Sequence, residues 1–333
     1  MDTRIDRAQN LYCSRPWKQA TFLSDGTAVC ACIDAGRSNP LGNIRAKSFD
    51  ELWNGAGYVG LRKQILADID QVPICRACPN RIAHRPGDPA NQDLERIEKP
   101  KILYLESVAA CNLVCPGCDR LAIEGGRDGK LVMDWDVYQR IIDGLSPGLE
   151  YMEFHLGGEN FMHKQWPRML RYAKERNPKV FILTSTNGHY FRNEAERAAL
   201  VESGIDLVIF SIDGARQETY EKYRVRGKID VVLDGMRGVL DVRNRQGKKR
   251  PIVVWRYILF HWNDTPEEMD LARKMVRDMG VDHLSWHLNV ATDDMSSKRY
   301  YIGSPHLKEI EHELWDTIYP RLGVEVNLDF DRY

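Results

Sequence analysis

The sequence predicts an α/β fold, a partial (β/α)6 TIM-like barrel with a small N-terminal domain, on three observations. Six apolar, β-rich runs alternate with helix-periodic segments between residues 101 and 290. All eight cysteines fall within the first 118 of 333 residues. A Pro-rich, charged stretch, residues 79–100, divides them into two groups and reads as a linker.

The barrel elements follow in order. KILYLES (101–107), LEYMEFHL (149–156), VFILTST (180–186), DLVIFSID (206–213), PIVVWRYILF (251–260) and HLSWHL (283–288) are apolar runs, as strands covered on both faces of a parallel sheet require. Between them DVYQRIIDGL, WPRMLRYAKE, EAERAALVES, VVLDGMRGVL and EEMDLARKMVRDMG have helical periodicity, and Gly280 supplies a helix-end signal after the last. Residues 291–333 read as a helix and a short strand that cover the barrel edge. In such sheets reactive residues belong at the C-terminal strand ends. Gly157, Gly158 and Glu159 follow the second strand, Thr186, Asn187 and Gly188 the third, and Ser211, Asp213 and Gly214 end the fourth. Each group alone is an ordinary turn. Together they outline a pocket.

Composition narrows the function. With 43% hydrophobic and 29% charged residues the chain reads as globular, and a net charge of -1 offers no footprint for nucleic acid. The run Lys248, Lys249, Arg250 reads as a solvated turn. The N-terminus is polar, and nowhere do about 18 apolar residues run uninterrupted, so neither secretion nor membrane spanning is expected and the cytoplasm is the expected location.

The cysteines fall as Cys13, Cys30, Cys32, Cys75 and Cys78, then Cys111, Cys115 and Cys118. A large, core-rich chain has little need of disulfides, and clustered short spacings suit metal sites. ACNLVCPGC, residues 110–118, sets three cysteines as C-x3-C-x2-C directly after the first strand. A structural zinc ion wants four closed ligands, and no His or further Cys lies within a few residues of Cys118. A [4Fe-4S] cluster on three thiolates instead leaves one iron free for another ligand.

With this loop after the first strand of a partial barrel, residues 100–290 resemble the radical S-adenosylmethionine (SAM) superfamily. The resemblance implies that the open iron is chelated by SAM, which is cleaved reductively to a 5'-deoxyadenosyl radical that takes hydrogen from a substrate C–H bond. It also implies residue roles. Gly157, Gly158 and Glu159 look like the GGE motif that receives the methionine amino group. Ser211 and Asp213 resemble the fourth-strand residues near the ribose, with Asn187 a third-strand candidate. Arg224 and Arg226, in YEKYRVRG, sit where relatives carry an arginine facing the methionine carboxylate or where a surface charge would also do. Many members have an aromatic residue before the third cysteine, against the adenine; here that position is Gly117.

The first hundred residues resemble the SPASM or twitch auxiliary-cluster region. The carriers are Cys13 with a following Pro-Trp, a DG hairpin before Cys30 and Cys32, a Gly-Asn-Ile with a downstream Trp, then Cys75 and Cys78 as C-x2-C. A second, auxiliary [4Fe-4S] cluster is implied, with either Cys30 or Cys32 spare and available as a hydrogen donor; a zinc ribbon is the bland alternative. In most relatives this module follows the barrel, and here it precedes it. The expected domains are therefore 1–78, a linker at 79–100, the barrel at 101–290 and an extension at 291–333.

Glu106, His155, Arg256, Tyr257, Trp286 and His287 lie at or near strand ends and could line a substrate pocket or belong to the core. No leader-gripping domain is expected, so a carbohydrate or other small metabolite, oxidised or epimerised at carbon, is the expected target, with peptide crosslinking or oxidation the alternative. A flavodoxin- or ferredoxin-type reductant is the expected partner. The competing class is a two-cluster electron carrier or a zinc-stabilised binding protein.

Overall fold

The computed structural model describes residues 11–30, 34, 36–76, 78, 82–83, 94, 97–118, 123, 125, 129–289 and 294–315. Six strands, β6 (Ile102–Leu105), β7 (Tyr151–Glu153), β8 (Phe181–Thr186), β9 (Leu207–Ser211), β10 (Ile252–Leu259) and β11 (His283–Leu288), pair in parallel in chain order. Helices α4 (Trp135–Leu145), α5 (Trp166–Arg176), α6 (Glu194–Glu202), α8 (Ile229–Arg245) and α9 (Pro266–Met279) connect them, with a short α7 (Gln217–Tyr220) before α8. This is the open partial barrel expected from the sequence, with each strand and helix expected between residues 101 and 290 present within a few residues of its anticipated bounds.

Local chemistry sets the ends. Asn193 and Glu196 close a capping box at the start of α6, and Thr265 caps α9 by accepting from Glu268 N–H. Gly280, at φ 67°, ends α9 in the left-handed conformation.

Before the barrel come β1 (Leu11–Tyr12), α1 (Arg15–Lys18), β2 (Gln19–Phe22), β3 (Thr27–Val29), β4 (Pro40–Asn43), α2 (Phe49–Trp53), α3 (Ala56–Asp68) and β5 (Ile82–Ala83). Strand β2 pairs in parallel with β6, while β3 and β4 follow antiparallel, so one nine-stranded sheet, open at both ends, runs β11-β10-β9-β8-β7-β6-β2-β3-β4. The sequence gives no hint of that junction. The stretch read as a linker also contains β5, which pairs back on β1, and its exit is held by Trp53 Nε1 donating to Glu98 O at 2.9 Å.

The period-2 alternation of the strands separates two cores. Ile102, Tyr104, Tyr151, Phe181, Leu183, Leu207, Ile209 and Val254 pack together on the concave face. The alternate residues, such as Leu103, Met152, Ile182, Val208, Val253 and Trp255, face the helices and merge with Phe22, Phe49, Trp53 and Tyr58 of the N-terminal region. At the far edge Leu314 bridges in parallel to Trp286 of β11, and residues 316–333, where the expected short strand falls, lie outside the described residues.

Candidate active site

The loop after β6 carries Cys111, Cys115 and Cys118, and bonds from another strand end and from the segment between α7 and α8 shape it. Glu159 N–H donates to Ala110 O at 2.8 Å and Val114 N–H to Val225 O at 3.2 Å. Cys111 Sγ accepts from Leu113 N–H (3.5 Å) and Asn187 Nδ2 (3.6 Å), and Cys115 Sγ accepts from Arg224 Nη1 (3.9 Å). Burial pushes both thiols up, while the Leu113 amide at Cys111 and the Arg224 charge at Cys115 pull them back toward the thiolate. Cys118 is exposed, and it acts electrostatically on both Cys111 and Cys115. Gly117 stands at φ 75°, a conformation that an aromatic side chain adopts only under strain.

The strand ends close round this loop. Gly158 has φ 68°, and a Cβ there would lie 2.3 Å from Val108 O and 2.6 Å from Ala110 O, so its backbone is pressed against the chain entering the cysteine loop. Glu159 is 2% exposed; its Oε1 accepts from Thr186 Oγ1 (2.8 Å) and Phe161 N–H (3.3 Å), and its Oε2 from Asn187 N–H (2.7 Å). Burial raises this carboxyl to about 7, with those donors opposing. Three of its roughly four acceptor sites are thus committed to the fold. Asn187 also donates from Nδ2 to Asn112 Oδ1 at 2.8 Å, tying the third strand end to the loop.

Asp213 and Arg224 form a buried pair. Arg224 Nε lies 2.5 Å from Asp213 Oδ2, whose other oxygen accepts from Ile258 N–H at 2.7 Å. Burial works against the Arg224 charge, yet Asp213 and Cys115 outweigh it and hold the guanidinium above its ordinary range. Arg224 is therefore brought to the cysteine loop, whereas Arg226 is exposed at φ 73°.

Beneath the loop the concave face changes from apolar to polar. Arg256 Nη2 donates to Ser185 Oγ (2.8 Å) and Ser211 Oγ (2.7 Å), and these hydroxyls lie 2.9 Å apart. His155 Nδ1 accepts from Ser185 N–H at 3.3 Å. Burial, then Arg256, lowers both His155 and His287 to about 3, so both rings are neutral. Burial lowers Arg256 to about 10, and it stays charged. Glu153 is pushed by burial to about 7, against hydroxyl donation from Tyr104 and Tyr151. Tyr257 and Trp286, both candidates for this pocket, lie on the opposite face, 5.0 Å apart and fully buried among helix-facing residues. Glu106 braces the N-terminal hairpin instead, its Oε1 accepting from Ser24 N–H at 3.1 Å.

In the N-terminal region Cys13, Cys30 and Cys75 are buried and Cys78 half-buried. Cys30 senses Cys13, Cys75 and Cys78 together, so these four come to one place. Cys32 lies outside the described residues. Tyr58 lies beside Cys30, with its hydroxyl buried. Among the described residues no three His, Cys, Asp or Glu side chains converge tightly enough for a single metal ion. A cluster asks less convergence, since each thiolate takes its own iron.

The radical SAM superfamily profile matches residues 105–276, more than half of the chain. This chain belongs to the radical SAM superfamily. An iron–sulfur cluster-binding SPASM domain matches residues 13–79. The curated relatives include the tungsten-containing aldehyde ferredoxin oxidoreductase cofactor-modifying protein of Pyrococcus furiosus, 29% identical over 68% of this chain and 62% of that protein. Another is the Fe-coproporphyrin III synthase of Methanosarcina barkeri, 30% identical over 42% of this chain and 34% of that protein. The chain thus spans under two thirds of the length of either. Among solved structures, Streptococcus suis SuiB bound to S-adenosylmethionine is 14% identical, with a TM-score of 0.47, covering 82% of this chain and 63% of that one.

Membership carries a SAM-binding [4Fe-4S] cluster, and the SPASM region carries auxiliary iron–sulfur binding. The residues present fit both: three thiols with N–H donors aimed at two of the sulfurs, and four more gathered in the N-terminal region. The electron-carrier and zinc-protein readings give way to an enzyme. Sequence reasoning missed Glu153, Ser185 and Ser285, whose only signal is a polar residue at concave-face parity near a strand end.

Two outcomes are expected from this geometry. Gly158→Ala must place a methyl against two carbonyls and hold a left-handed φ that costs about 1–2 kcal/mol by itself. Reconstituted Gly158→Ala is expected to carry clearly less iron than the parent; equal iron would mean the loop tolerates the shift. For Glu153, an unfolded carboxyl loses its proton near pH 4.5, whereas the folded one keeps it to about 7, so stability falls as pH rises between those values. Glu153→Gln is expected to flatten that fall and to exceed the parent in denaturant melts at pH 8, and parallel pH profiles would contradict it.

Proposed function

We propose that this radical SAM enzyme abstracts hydrogen from a C–H bond of a small metabolite, carbohydrates among the candidates, and oxidises or epimerises that carbon. The observation that carries the reading is a polar, partly unpartnered layer on the concave face beneath the cysteine loop, where a small molecule would meet the radical. When bound, the cluster and SAM supply a 5'-deoxyadenosyl radical. Cys111, Cys115 and Cys118 hold the cluster, with Asn187 and Arg224 donating to its thiolates. Gly157, Gly158, Glu159, Ser211 and Asp213 shape the cosubstrate site. Cys13, Cys30, Cys75 and Cys78 would hold one auxiliary cluster, which would supply an electron acceptor for an oxidation, with a flavodoxin- or ferredoxin-type protein as the reductant. With Cys30 a ligand, any spare hydrogen donor falls to Cys32. A relative described as cofactor-modifying supports a small organic target.

Anaerobically reconstituted protein with dithionite and SAM is expected to form 5'-deoxyadenosine faster when a metabolite extract is added. Run in deuterated water, an epimerisation places deuterium on the product carbon and an oxidation does not. An extract without effect, beside acceleration by small precursor peptides, would replace the metabolite with a peptide.

A further inference from the structure

The polar layer of the concave face has an imbalance that its own residues do not resolve. Strands β10 and β11 run in register, with Arg256 opposite Ser285 and Ile258 opposite His287, so Arg256, Ser285 and His287 share the concave face. Arg256 Nε, Ser285 Oγ and His287 Nε2 are all buried and have no hydrogen-bond partner. Ser285 is 0% exposed. Two of the Arg256 bonds go to neutral hydroxyls, and among the described residues no carboxylate pairs with its guanidinium. The neighbouring imidazoles are uncharged, and Asp213 and Glu153 attract the guanidinium through space without forming an ion pair with it.

Such a layer is expensive in isolation. Each unpaired buried donor forfeits its hydration, and a buried cation with no ion pair of its own forfeits more. Three such atoms from two adjacent strands, grouped on one face, need a partner that accepts hydrogen bonds and carries negative charge. The planar guanidinium suits a carboxylate or phosphate. The apolar floor formed by Leu183, Leu207, Ile209 and Val254 gives an anion nothing below that level, so the group stops at this layer.

We propose that Arg256, Ser285 and His287 form an anchor for an anionic oxygen group, a carboxylate or a phosphate, of the substrate. The anchor rests on the radical SAM reading of the concave face as a substrate site and narrows its target to acidic small molecules. Arg256 acts by binding, and it also sets the positions of Ser185 and Ser211 through Nη2.

The test uses full-length, anaerobically reconstituted protein titrated calorimetrically with inorganic phosphate, with succinate and with neutral succinamide, each with and without SAM. Phosphate or succinate is expected to bind and succinamide not, and the stronger of the two anions identifies the group. Arg256→Gln and Ser285→Ala are expected to weaken that anion about ten- to hundredfold, and Arg256→Lys to recover part of the loss. Circular dichroism separates misfolding from lost binding, and Ser285→Ala, the smaller change, carries the test if Arg256→Gln fails to fold. Anions that fail to bind the parent, or that bind the folded variants equally well, overturn the anchor. So does competition between SAM and the anion, since Arg256 would then serve the cosubstrate's own carboxylate. Formation of 5'-deoxyadenosine is a separate readout: anion binding without it leaves the anchor standing and removes the radical reading.

Discussion

A Cys111/Cys115/Cys118→Ala variant will lose the reduced-cluster paramagnetic signal that shifts on addition of SAM, and with it all cleavage of SAM. The loss is the whole acceleration, roughly a million-fold or more. The fold should survive. Cys118 is exposed, and the loop is held by backbone bonds from Glu159 to Ala110 and from Val114 to Val225, which the substitutions leave in place. A second signal, insensitive to SAM, should persist, because Cys13, Cys30, Cys75 and Cys78 are gathered in the N-terminal region. Electron paramagnetic resonance on dithionite-reduced parent and variant decides the matter. A SAM-responsive signal in the variant would show that the loop does not hold the cluster.

The second large effect is expected at the Asp213–Arg224 pair. Both side chains are largely withdrawn from solvent, at 0% and 12% exposure, so removing one partner strands a charge. Arg224→Met alone should cost about 3–5 kcal/mol in denaturant unfolding. Adding Asp213→Asn should restore much of that stability, since the stranded charge is gone and Asn Oδ1 can still accept from Ile258 N–H. Neither variant should restore the donor to Cys115, so the SAM-responsive signal should stay altered in both. If the double variant regains stability and a parent-like signal together, Arg224 is structural and has no bearing on the cysteine loop.

The barrel was legible in the chain because its evidence is local. Each strand is a short apolar run at a turn, each helix has its own periodicity, and Thr265, Asn193 and Gly280 mark ends within one turn of where they act. The three-cysteine loop is likewise a spacing within nine residues. What could not be read depends on pairing across distance. The side of the sheet taken by Tyr257 or by Arg256 follows from a one-residue register, which no apolar run reveals. The pairing of Arg224 with Asp213 was equally hidden, since either residue alone could face solvent or cosubstrate. Helices α2 and α3 escaped notice because the cysteines around them dominated the reading of that region.

The parallel pairing of β2 with β6 also sets a schedule. Gln19 and its partner Ile102 are separated by more than eighty residues of chain, so at roughly 5–20 residues per second a ribosome makes the first strand several seconds before the second. During that interval β2 has β3 on one side and a vacant edge on the other, the kind of edge that recruits foreign strands. Synthesis thus delivers the strands of the β2–β3 hairpin well before the strand that covers its open edge.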